Sequence, residues 1–122
     1  MIESRPIFKE EAAPRSVGMR SRQLATVGEC EVLIKIHSAS IFGTDLHIYK
    51  WNDWAPRSYR PPMPLGHEFG GIVIKIGSAV RTIREGDVVT AETHVPCGRC
   101  QQCRLGRGHT CDNLKLFSRM DV

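Results

Sequence analysis

Hydrophobic and polar positions alternate most clearly in two stretches of this chain. In Glu31-Val32-Leu33-Ile34-Lys35-Ile36-His37, the apolar Val32, Ile34 and Ile36 share one side, and Glu31, Lys35 and His37 share the other. A period of two is that of a strand with one covered face, and the stretch is predicted to be a strand. Gly70-Gly71-Ile72-Val73-Ile74-Lys75-Ile76-Gly77 predicts a second, with Ile72, Ile74 and Ile76 in register on one face. Val88-Val89-Thr90-Ala91 follows the turn signal Glu85-Gly86-Asp87 and predicts a third; Lys115-Leu116-Phe117 begins a fourth. Helical signals are few. Thr44 or Asp45 is expected to cap a short turn through Leu46-His47-Ile48-Tyr49. Ala55 to Pro64 holds Pro56, Pro61, Pro62 and Pro64 and reads as an extended loop. Residues 1–28 show no period and are expected to form a loose arm or an edge strand, ahead of one domain over residues 29–122. Short β runs with many turns indicate an all-β domain, mainly β with short helices.

Composition narrows the function classes. A chain of 122 residues is long enough for one domain, and 41% hydrophobic with 25% charged residues is globular. The formal net charge is only +4, the basic residues are dispersed, and aromatics are not interleaved with them, so no nucleic-acid partner is expected. No apolar run is long enough to span a bilayer, and no basic head followed by an apolar core opens the chain. The expectation is a cytoplasmic protein with no membrane partner.

Cysteine usage changes the picture. Four of five cysteines, Cys97, Cys100, Cys103 and Cys111, follow the spacing C-x2-C-x2-C-x7-C. Two intervening residues let paired sulfurs share one side of a tight turn, and a seven-residue loop returns the fourth. That spacing suits a closed four-thiolate zinc site. Disulfides remain an alternative that strands Cys30; an iron–sulfur run normally closes after three residues, with proline following. A nucleic-acid-binding zinc ribbon would use the same thiols. Arg99, Arg104 and Arg107 flank the loop, as donors to the sulfurs or as a solvated basic face.

A second constellation is Gly66-His67-Glu68-Phe69-Gly70-Gly71. An imidazole can bind zinc directly and a neighbouring carboxylate can orient or neutralise the ion. With Gly77 and Val80, this segment resembles the signature of zinc-containing medium-chain dehydrogenases, the alcohol dehydrogenase superfamily, and the four-cysteine loop is similar to that family's structural zinc lobe. Gly43-Thr44-Asp45-Leu46-His47-Ile48-Tyr49-Lys50-Trp51, with Trp54 and Pro62-Met63-Pro64, resembles the threonine dehydrogenase branch. The resemblance runs from residue 29 to 117 and implies the N-terminal GroES-like domain, a partly open β-barrel. It implies a structural Zn2+ on the four cysteines and a catalytic Zn2+ at His67 and Glu68. It also implies a small-molecule alcohol substrate, with Thr44 holding the alcohol oxygen and His47 passing the proton outward; Asp45 and His94 occupy further family positions.

The sequence departs from the family twice. The family pattern reads Cys-Gly-Thr-Asp where this chain has Phe42-Gly43-Thr44-Asp45, which leaves a catalytic zinc one ligand short. No Gly-x-Gly-x-x-Gly follows a strand, so the chain is expected to stop before any Rossmann domain, with NAD bound only in a full-length relative. Expected, then, is a domain inactive by itself, or else a non-catalytic zinc-stabilised interaction module or remnant. Unfinished barrel edges would suit a homo-oligomer.

Overall fold

Two eight-residue strands carry the main sheet. In the computed structural model, which describes residues 2–24 and 26–117, β5 (Val32–Ala39) pairs antiparallel with β7 (Phe69–Ile76), and β7 pairs with β8 (Val88–Thr90). The β5–β7 register slips between Leu33 and Ile34 and again between Ile36 and Ser38. Such bulges bend a strand and increase its twist, which curls a three-stranded sheet toward a barrel wall. Gly71 lets β7 approach closely: a Cβ there would lie 2.3 Å from the Lys35 carbonyl oxygen. The turn before β8 is made by Gly86, at φ +94°, and by Asp87, whose carboxylate accepts from the Arg84 amide at 2.8 Å.

The covered face of β7 is the one opposite the isoleucines. Val73 is 1% exposed, whereas Ile74 is 42% exposed. Both faces of this strand carry apolar residues, so alternation alone could not tell inside from outside. Ile36 on β5 is likewise exposed, beside the second bulge.

Residues 40–68 leave the sheet and return to it. Ser40 N–H donates to the Glu68 carbonyl at 3.1 Å and closes the base of the excursion. It contains helix α1 (Gly43–Lys50), the single turn α2 (Ala55–Ser58) and β6 (Met63–Pro64). The N-cap of α1 is Phe42 rather than Thr44 or Asp45; Asp45 sits at the third helical position and its Oδ2 accepts from the Phe42 amide at 2.9 Å. Asp45 therefore caps by reaching back, half of a capping box. The loop expected from Ala55 opens instead as a helical turn, because Pro56 lies in the first turn, where its missing N–H has no partner to lose.

Residues 2–24 pack against this excursion. β1 (Glu3–Ser4) pairs with β4 (Arg22–Gln23); β2 (Ile7–Lys9) pairs with β3 (Val17–Met19) on one side and β6 on the other. The Arg15 amide donates to Tyr49 O at 2.8 Å, tying the β2–β3 connection to α1. Ile48, Tyr59 and Met63 form the buried cluster beneath, with Trp51 and Leu65 packed against it. Lys9 is fully buried there: its ammonium donates to the Ala13 carbonyl and lies 5.2 Å from the centre of the Trp51 ring. Burial holds its pKa below the usual lysine value.

Candidate metal centre and adjoining cavity

Beyond β8 the chain builds a separate lobe. β9 (His94–Val95) and β10 (Lys115–Leu116) pair antiparallel and close a loop that contains all four clustered cysteines. Gly98 and Gly106 adopt φ of +73° and +75°, which lets the chain turn sharply between thiols. The short helix α3 (Gln101–Arg104) carries Cys103, and a 3-10 turn (Gly108–Thr110) delivers Cys111.

The four sulfurs all lie within 4.8 Å of one another, and Cys100 Sγ and Cys111 Sγ are 3.8 Å apart. Tetrahedral zinc with Zn–S bonds of about 2.3 Å separates its sulfurs by about 3.8 Å. A disulfide needs about 2.0 Å, and all five cysteines are free thiols. The donor set and its spacing fit Zn2+.

The lobe is also prepared for negative charge. Cys111 Sγ accepts from the amides of Cys97 and Asn113, each at 3.3 Å. The Arg99 amide, then that of Cys100, pulls the Cys97 thiol down to about 6. The Cys103 and Asp112 amides lower Cys100. Cys103 is pushed up to about 12, first by burial and then by hydrogen bonding with Cys100 and Cys111. Without a cation, one pocket cannot hold four adjacent thiolates; a dication removes that conflict. Among the described residues no guanidinium of Arg99, Arg104 or Arg107 bonds a sulfur: the donors are backbone amides and, at 4.0 Å from Cys97 Sγ, the Asn113 side chain. Asn113 carried no sequence signal, because its position depends on how the loop folds back.

A cavity of about 840 Å3 lies where β5 and β7 meet the base of the excursion. Its polar lining includes Arg5, Ser40, Asp45, His67 and Glu68; Ile36, Leu46, Tyr49 and Leu65 contribute apolar surface. His67 and Asp45 are each 10% exposed, and His67 Nδ1 faces Asp45 Oδ1 at 3.8 Å, neither with a hydrogen-bond partner. Phe42 meets the imidazole edge-on, ring centroids 5.7 Å apart at 88°. Glu68 accepts from Ser40 Oγ at 2.6 Å.

Thr44 and His47 do not line this cavity. His47 is two residues from Asp45 on α1 and so cannot share its face. Its Nδ1 is 2.6 Å from Asn52 Nδ2, and its ring lies 5.8 Å from that of Trp54. The amide can only donate, so Nδ1 accepts and the imidazole proton sits on Nε2. His94 Nδ1 lies 2.5 Å from Glu92 Oε1; that hydrogen bond is the first cause lowering the Glu92 pKa.

This arrangement has known counterparts. The model of the alcohol dehydrogenase GroES-like domain matches residues 28–119. The chain belongs to that family. An L-threonine 3-dehydrogenase of Caldanaerobacter subterraneus subsp. tengcongensis is 49% identical over 96 residues, covering 79% of this chain and 28% of the relative. One from Symbiobacterium thermophilum is 41% identical over 113 residues, covering 93% of this chain and 32% of the relative. Galactitol-1-phosphate dehydrogenase from Escherichia coli superposes with a TM-score of 0.83 at 25% identity, covering 95% of this chain and 32% of that one. Alcohol dehydrogenase from Thermus sp. ATN1 does so at 0.80 and 26%, covering 94% and 32%. The GroES-like domain thus spans between a quarter and a third of the relatives it matches. No helix among the described residues is long and apolar enough to cross a membrane.

Proposed function

We propose that this chain is the zinc-stabilised GroES-like domain of an L-threonine 3-dehydrogenase-like enzyme, and that it holds one Zn2+ on Cys97, Cys100, Cys103 and Cys111. The observation that carries this is the four-sulfur cluster, all within 4.8 Å, with the Cys100 and Cys111 sulfurs at the 3.8 Å that tetrahedral zinc requires. The ion would neutralise the crowded thiolates and cross-link the lobe. A cluster of free thiols, together with an exposed free Cys30 elsewhere in the chain, supports a reducing compartment such as the cytoplasm.

The residues around His67 do not fit a catalytic zinc. His67 and Glu68 are two donors where three protein ligands are usual, and Phe42 offers none. Thr44 and His47 retain the residue types suited to holding an alcohol oxygen and passing its proton, with Asn52 fixing the His47 tautomer. With no ion to lower an alcohol's pKa they have little to relay, so this chain oxidises no alcohol by itself. In a full-length relative the partners would be a small-molecule alcohol and NAD. The test is L-threonine with NAD+ and the zinc-loaded protein: no NADH absorbance is expected, and its appearance in pure material contradicts the reading.

A second reading is an interaction module. Ile7, Ile36, Ile41 and Leu46 are exposed, and all four line the cavity. A self-associating chain would cover them. Sizing chromatography decides: a shift to dimer with concentration supports this reading, and a monomer throughout removes it.

A further inference from the structure

The four sulfurs of the lobe are not equally supplied with donors. Cys111 Sγ accepts from the amides of Cys97 and Asn113. Cys97 accepts from those of Arg99 and Cys100, and Cys100 from those of Cys103 and Asp112. Cys103 accepts, among the described residues, from the Gly98 amide alone. The cause is α3. The amides that reach Cys97 lie two and three residues beyond it. Their equivalents for Cys103 belong to Leu105 and Gly106, and both are engaged by the helix. Leu105 N–H donates to the Gln101 carbonyl and Gly106 N–H to the Cys103 carbonyl, each at 3.1 Å. Amide donors draw charge from a thiolate and blunt its attack on an electrophile. With an ion bound, all four sulfurs are thiolates, whatever the order in which they ionise without it. Cys103 then keeps the most charge. It is also half-buried, within reach of a small oxidant, whereas Cys111 is buried.

We propose that Cys103 is the oxidation site of the zinc-loaded lobe, and that Cys100 resolves it to a disulfide that releases the ion. The oxidant is a peroxide. The Cys103 sulfur attacks one peroxide oxygen, the O–O bond breaks, and the departing hydroxide takes a proton from solvent. Cys103 becomes a sulfenic acid, oxidised by two electrons while the peroxide is reduced. The Cys100 thiolate then attacks the Cys103 sulfur. The S–S bond forms, the S–O bond breaks, and the second hydroxide is protonated to water. Cys100 and Cys111 both lie within 4.8 Å of the Cys103 sulfur, but Cys111 is buried under two amides. The half-buried Cys100, in the same C-x2-C turn, is the resolving thiol. Cys97 and Cys111 then remain, two ligands where a structural zinc takes four. The inference rests on the metal reading of the lobe.

The experiment treats the whole zinc-loaded chain with hydrogen peroxide, in a Cys30→Ser background that removes the thiol outside the lobe. Dimedone traps sulfenic acid, a chromogenic chelator follows zinc, and mass spectrometry maps the products. Trypsin cuts after Arg99 and Arg104, so Cys100 and Cys103 share the peptide 100–104. The first dimedone adduct should fall on Cys103. Without dimedone, the peptide 100–104 should become lighter by two hydrogens, with one zinc released per disulfide. Cys103→His, which keeps four ligands, should retain its zinc at the same peroxide dose. Zinc content measured before peroxide separates the two readings. A ratio of zero removes the metal site and this inference with it. One zinc per chain with another sulfur oxidised first, or with zinc retained under excess peroxide, overturns the inference alone. Mapping the Cys30→Ser protein decides this even if Cys103→His fails to fold.

Discussion

Single residues set the tolerances of this domain. Gly70 and Gly71 are adjacent in β7 but differ in surroundings. A Cβ on Gly70 meets nothing nearer than the Val89 carbonyl at 3.8 Å, whereas one on Gly71 collides with backbone at 2.3 Å. Gly71→Ala should cost at least about 2 kcal/mol, because backbone cannot yield as a side chain can, and Gly70→Ala should stay within about 1 kcal/mol. Urea unfolding of the two variants checks the contrast. Ile48, fully buried in the cluster with Tyr59 and Met63, should cost about 2–5 kcal/mol on truncation to alanine, a large share of a domain's stability. The four thiols should also differ before metal binds. Cys97, depressed to about 6, is thiolate at neutral pH, and Cys103, raised to about 12, is not. Alkylation of metal-free protein at pH 7, mapped by mass spectrometry, should label Cys97 first and Cys103 last. The depressed Cys97 pKa stabilises the metal-free fold above the ordinary thiol value, and that contribution is lost as pH falls through about 6. The raised Cys103 pKa works oppositely, stabilising below the ordinary value and fading as pH rises toward about 12.

At the scale of elements, the lobe and the sheet should come apart. The lobe is closed by the short β9–β10 pair and by its sulfur cluster, while β5, β7 and β8 share an extended ladder. Apparent zinc affinities in four-ligand knuckles are on the order of 10–16 kcal/mol, so removing the ion should disorder residues 96–111 and leave the main sheet standing. Chelation followed by limited proteolysis should show new cuts at Arg99, Arg104 and Arg107 and none in β7; an unchanged pattern contradicts the metal site. These elements were legible in sequence to different degrees. β5, β7 and β8 announced themselves by alternation, and the lobe by cysteine spacing. The inward face of β7 was not readable, since apolar residues line both sides of it. Nor was the cap of α1, because Asp45 acts from the third helical position. The strands before residue 24 are two or three residues long, and their partners lie up to fifty-six residues away, as with Phe8 and Pro64, so no local period encodes them. The same holds for the site: Cys97 to Cys111 is local and was visible, whereas Asp45 against His67, Asn52 on His47 and Ser40 on Glu68 are consequences of the fold.

The whole molecule carries a four-cysteine lobe whose donor set fits Zn2+ and a cavity lined by His67 and Glu68. The fold is that of the alcohol dehydrogenase GroES-like domain, and position 42 holds a phenylalanine, which offers a metal no donor. The most direct test of the central claim is the zinc content of natively purified protein, measured together with thiol accessibility. One zinc per chain is expected, with Cys97, Cys100, Cys103 and Cys111 protected from alkylation and Cys30 open to it. A protein with no bound zinc and all four clustered thiols freely alkylated would contradict it.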